Sequence, residues 1–125
     1  MYRPRPVPPP DSLDEEGKAL WRRVQRHLRE QRTWQDTDAE LLESYVRTVT
    51  VARTARQAAG SEPFVEGSKG QLVAHPGLKV AAEAERDAVR YAGALLLTPE
   101  ARKRHEVKPP EPHNGNGLAF LAPVA

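Results

Sequence analysis

The chain has 125 residues, 19 lysines and arginines against 17 acids, a net charge of +2, 6% aromatic residues and no cysteine. That length fits one domain with a thin core. The composition excludes disulfides and thiolate chemistry, and the scattered histidines (His27, His75, His105, His113) lack metal-ligand spacing.

Residues 1–11 form a Pro/Arg-rich arm. Pro4, Pro6, Pro8, Pro9 and Pro10 block helix and favour extended polyproline II, which predicts a mobile segment. The arm is either a solvated leader or a means of bringing Arg3 and Arg5 to phosphate or to a partner subunit. It lacks the apolar stretch of a signal peptide. No run in the chain approaches the ~20 apolar residues of a membrane span. A soluble, cytoplasmic protein is expected.

Residues 12–105 are expected to form a helical core domain. Ser12-Leu13-Asp14-Glu15 has capping-box form, with Ser12 as cap and Glu15 reaching back. Leu13, Leu20, Trp21, Val24 and Leu28 then share one face, and the helix is predicted to end near Gln31. Lys18, Arg22, Arg26 and Arg29 share the opposite face. Gly17 suggests a close helix contact. Thr37-Asp38-Ala39-Glu40 repeats the capping pattern and opens a second helix running to about Ala59, with Gly60 behind it. Leu42, Tyr45, Val46 and Val49 are its buried stripe. Arg53 and Arg56 continue that stripe by angle, so it should leave the core there for solvent or a subunit contact.

Residues 63–73, with Gly67 and Gly70 in the loop, predict a β-hairpin. A ribbon that short needs helices or a neighbouring subunit to lean on. His75-Pro76 introduces a third helix to about Leu97. Its inward stripe is Leu78, Ala81, Ala88, Ala92 and Leu95, and the alanines imply close helix approach. Glu85 falls within this stripe, so it should find a cation or face an interface. At Thr98-Pro99-Glu100 the threonine caps, proline suits the first helical position and glutamate suits the positive end of the dipole. A short C-terminal helix carrying Arg102, Lys103 and Arg104 should start there. Residues 106–125 read as a flexible tail with an apolar end, Leu118, Phe120 and Leu121, either docking to a partner or folding back on the domain.

No Gly-rich phosphate loop is present; Glu66–Gly70 has the wrong spacing. Asp14, Glu15 and Glu16 occupy a first helical turn, where the dipole accounts for them better than a metal does. No nucleophile motif appears. A non-enzyme without cofactor or metal is expected. The positive signals are basic. Lys18, Arg22, Arg26 and Arg29 span about three helical turns and are either a solvated face or a DNA-binding face that tracks phosphates. Arg102, Lys103 and Arg104 are a second DNA-binding candidate, or simply cations suited to a helix C-terminus.

The order of these pieces resembles the small subunits of bacteriophage terminases. It rests on the Pro-rich leader, Leu13 with Trp21, Asp38 opening the second helix, the Gly67/Gly70 hairpin, His75-Pro76, and Leu97-Thr98-Pro99 with Arg102. One position departs: Leu96 stands where that pattern has Gly before Leu-Thr-Pro. The resemblance implies a non-catalytic component of a DNA-packaging motor in the infected host cell's cytoplasm. It would assemble as a homo-oligomeric ring, engage viral double-stranded DNA and present it to a large subunit with ATPase and nuclease activity. The alternative is a helical oligomeric adaptor that binds only protein, its arginines serving salt bridges between subunits.

Overall fold

The computed structural model describes residues 1–109; Leu118, Phe120 and Leu121 lie outside them. The chain is mostly helical: α1 (Glu15–Glu30), α2 (Ala39–Ala59), a hairpin of β1 (Phe64–Glu66) and β2 (Leu72–Ala74), α3 (Pro76–Ala94) and α4 (Pro99–Arg104). One 3₁₀ turn, Asp36–Asp38, precedes α2.

Both helix starts differ from the capping-box reading. Asp14 caps α1: its Oδ1 accepts from Gly17 N at 2.6 Å. Ser12 lies two residues upstream, where its hydroxyl accepts from Arg47 of α2 at 2.7 Å. A carboxylate is the stronger acceptor for orphan N–H groups and adds its charge to the dipole. At α2 the Asp38 carboxylate accepts from the Gln35 N–H at 2.9 Å and closes the turn ahead of the helix. At α3, His75 Nδ1 accepts from Gly77 N at 2.9 Å, with Pro76 in the first turn. Thr98 caps α4 as expected, its Oγ1 accepting from Ala101 N at 3.2 Å.

Three of the four helices end in the same way. After α1, Thr33 N bonds Leu28 O and Arg32 N bonds Arg29 O; after α3, Leu97 N bonds Ala92 O and Leu96 N bonds Gly93 O; after α4, Val107 N bonds Arg102 O and Glu106 N bonds Lys103 O. These are Schellman closures, which place one residue in left-handed backbone. That residue is Arg32 (φ 66°), Leu96 (φ 63°) and Glu106 (φ 54°) in turn. Leu96 therefore sits in the conformation that favours the glycine of the family pattern. Left-handed backbone costs an L-residue about 1 kcal/mol or more. Leu96→Gly relieves that strain but loses a half-buried side chain, whereas Leu96→Ala loses the side chain and keeps the strain. Urea unfolding is expected to rank the glycine variant above the alanine variant by about 1 kcal/mol, the reverse of a helix interior.

The core joins Leu20, Trp21, Val24 and Leu28 of α1 to Leu42 and Val46 of α2, with Leu13, Trp34, Leu95 and Leu97 from the connections. Tyr45 and Val49 pack against it, partly buried. Gly17 allows this approach, since a Cβ there would meet Val46 Cγ1 at 3.4 Å. Farther along α2 the buried face is alanine: Ala52, Ala55 and Ala59 against Ala81 and Ala84 of α3. At Gly77 a Cβ would stand 2.9 Å from the Ala55 carbonyl, so these backbones nearly touch. The stripe of α2 thus turns onto α3 rather than ending. Arg53 and Arg56 sit at its edges and reach Glu16 (3.2 Å) and Glu85 (2.7 Å).

The Arg56–Glu85 pair supplies the cation that Glu85 requires. The hydrogen bond from Arg56, opposed by a smaller desolvation and aided by its charge, holds the Glu85 carboxyl below its ordinary value. A carboxyl whose pKa falls on folding adds stability above its unfolded pKa and loses it as pH drops through the folded one. Arg56→Gln is expected to return Glu85 titration to the ordinary carboxylate range, followed by NMR, and to remove its share of the acid limb of the stability profile.

The arm is the largest departure from expectation. Residues 1–10 do not project freely; they lie along α1, held by side chains of the core.

Candidate nucleic-acid interface

The first basic candidate lies on one face of α1, because 3.6 residues per turn bring positions 18, 22, 26 and 29 to one side. Arg22, Arg26 and Arg29 are exposed. None of the three forms an ion pair among the described residues. Lys18 differs: its side chain is 21% exposed and its ammonium lies 3.8 Å from Glu15. Like charges at i+3 and i+4 destabilise a helix by a few tenths of a kcal/mol each. The three arginines therefore add positive potential at some cost to the helix.

The second candidate is largely engaged in holding its own corner. Arg102 donates to the Leu97 carbonyl at 2.7 Å and so satisfies the connection between α3 and α4. Arg104 pairs with Glu100 at 2.6 Å. Lys103 is exposed. The structure does not merge the two clusters into one face. The α3–α4 connection meets α1 through Leu95 and Leu97 in the core and through Gln31, whose Nε2 donates to the Leu96 carbonyl at 3.1 Å.

Beside the arginines runs the arm. Pro6, Val7, Pro8 and Pro9 face Arg22, Gln25, Arg26 and Arg29 across a concavity of about 490 Å³. The Val7 carbonyl accepts from Trp21 Nε1 at 3.0 Å and Gln25 Nε2 at 2.7 Å, while Val7 N donates to Gln25 Oε1 at 2.8 Å. Trp34 Nε1 donates to the Arg5 carbonyl at 3.1 Å, and the Tyr2 hydroxyl donates to the Trp34 carbonyl at 3.0 Å. Arg32 stacks 5.9 Å above the Tyr2 ring. Burial pushes the Tyr2 phenol up, against the opposing charges of Arg29 and Arg32.

The family model described as "Phage terminase, small subunit" matches residues 17–112. The chain belongs to that family. No curated protein and no solved structure matches it. The match spans nearly all of α1 through α4, so this small subunit carries its basic face and its Thr98-Pro99 corner within the family's own segment. The arm lies outside the match.

Gln25, Trp34 and Tyr2 are the site residues that sequence reasoning missed. Gln25 was detectable, being a polar residue four positions after Trp21 on the apolar side of α1. Trp34 and Tyr2 lie outside any periodic segment. Among the described residues no group of three or more His, Cys, Asp or Glu could hold a metal, and no helix is long and apolar enough to cross a membrane.

Proposed function

We propose that this terminase small subunit engages viral double-stranded DNA through the Arg22/Arg26/Arg29 face of α1 and presents it to the large ATPase/nuclease subunit. It acts without catalysis, in the infected host cytoplasm. The observation that carries this reading is the set of three exposed arginines with no acidic partner, while Arg47, Arg53, Arg56 and Arg104 all have one. Unpaired guanidinium groups suit phosphate. The helix face shows no evident base-reading pattern, so binding is to the DNA backbone. Lys18 and Lys103 add charge at the margins; Arg102 and Arg104 are secondary.

Assembly into a homo-oligomer supplies what the monomer lacks. Phe64 and Leu72 point to one side of the hairpin, are 59% and 77% exposed, and have no helix packed on them. A neighbouring copy would cover them. The tail residues Leu118, Phe120 and Leu121, outside the described region, are proposed to dock on the large subunit, where repetition around an oligomer raises weak single affinities.

Duplex binding measured by fluorescence anisotropy across a salt series tests the reading. The three α1 arginines are expected to contribute about −3 to the slope of log K against log salt, from roughly three phosphates at about 0.9 each. Native mass spectrometry is expected to give a multiple of 13.9 kDa. An oligomer that binds no duplex at low salt is the protein-only adaptor instead.

A further inference from the structure

The arm is built into the molecule in a way that its composition does not require. A proline-rich leader has few N–H donors and no internal hydrogen bonds, so its carbonyls are left for water. Here, two of those carbonyls are taken by indole N–H groups. Trp21 and Trp34 are 1% and 0% exposed, and each aims its one donor at the arm. Gln25, 5% exposed, pairs its amide with both the N–H and the C=O of Val7, as an adjacent β-strand would. These three buried side chains fix the path of the arm through its backbone alone. The side chains of Arg3 and Arg5 remain exposed.

We infer that the held arm extends the basic face of α1 for the DNA backbone, with Arg3 and Arg5 exposed along the arm, Arg22, Arg26 and Arg29 on the helix beside it, and Gln25 as the residue that positions the arm. This rests on the proposed DNA engagement and adds a second set of contacts to it. The concavity between arm and helix is lined by Pro6 to Pro9 and by Arg22, Gln25, Arg26 and Arg29, with no carboxylate of the described residues; Arg3 lies beyond it, beside Tyr2 and Arg32. Its prolines present rigid backbone that loses little entropy when a strand of phosphates is laid beside it. Arginines fixed by their backbone likewise need less ordering on binding than arginines on a free tail.

Gln25→Leu removes both bonds to Val7 without changing charge or much volume. Arg3→Gln with Arg5→Gln removes the two charges without touching the clamp, and both positions are exposed, so that variant keeps the fold. Each is expected to weaken duplex binding about tenfold near physiological salt and to reduce the salt slope by about 2, the share of two phosphates. Combining them should add nothing, because a released arm and a neutral arm fail alike. The only two tryptophans both donate to the arm, so Gln25→Leu should also red-shift their emission, whereas the arginine pair should not. An unchanged slope in Arg3→Gln/Arg5→Gln overturns the arm's share of the contacts, and additive losses overturn the positioning role of Gln25. In either case DNA engagement stands if the Arg22, Arg26 and Arg29 replacements still abolish binding. A full chain that binds no duplex overturns both.

Discussion

Replacing Arg22, Arg26 and Arg29 together with glutamate is expected to lower duplex affinity by a hundredfold or more, at roughly physiological salt. The three charges act on phosphate additively at long range, and reversal turns attraction into repulsion. Among the described residues none of them pairs with a carboxylate, so no ion pair there breaks. The helix itself suffers slightly at position 29, where a cation suits the C-terminal turn. The neutral variant, Arg→Gln at all three positions, separates the effects. It should reduce the salt slope by about 3 while circular dichroism and native mass stay as in the parent chain. If both triple variants bind duplex as the parent does, the α1 face is not the site, and exposed Lys103 and the arm's Arg3 and Arg5 are the next candidates.

The α1 face could be read from the chain because helical periodicity places charges as reliably as it places leucines. Lys18, Arg22, Arg26 and Arg29 share a side by arithmetic, and the structure changes only Lys18, which turns toward Glu15. The second cluster looked equivalent in sequence. It is not, because composition cannot show that Arg102 bonds the Leu97 carbonyl in the connection between α3 and α4. The same limit applies to the caps. Ser12 and Thr37 fit the capping pattern, yet Asp14 caps α1, and ahead of α2 the Asp38 carboxylate closes the preceding turn without capping the helix. Neighbouring Ser, Thr and Asp compete for the same orphan donors, and the winner depends on how the preceding turn enters the helix.

The departure at Leu96 is a case where resemblance and structure inform each other. Its φ of 63° shows that the Schellman closure is kept when the glycine is not. The cost is accepted at Arg32 and Glu106 too, so α1, α3 and α4 close by hydrogen bonding without glycine, whereas α2 ends at Gly60 (φ 56°). The alanine stripe was legible and led to close packing of α2 and α3. The arm was not, because proline content forecasts an extended backbone but not its partners. Those partners, Gln25 and Trp34, are distant in sequence from the residues they hold.

Trp34→Ala is expected to cost about 3–5 kcal/mol, the range for removing a large aromatic from a packed core. Trp34 is fully buried among Leu28, Leu42, Leu95 and the other core residues, although it lies in the connection between α1 and α2. A domain this small has about 5–15 kcal/mol of stability in all, so the variant should retain only part of its resistance to urea. Trp34→Phe tests the polar half of the contribution. It keeps most of the apolar volume and loses the indole N–H, so the Arg5 carbonyl must turn to water. The arm is exposed enough for water to replace the bond, and the added loss should be about 1 kcal/mol. Urea unfolding followed by far-UV circular dichroism orders the three proteins: parent, then the phenylalanine variant, then the alanine variant. A Trp34→Ala loss below about 1 kcal/mol would mean that the connection floats on the core rather than closing it. The arm would then have no fixed anchor at Arg5.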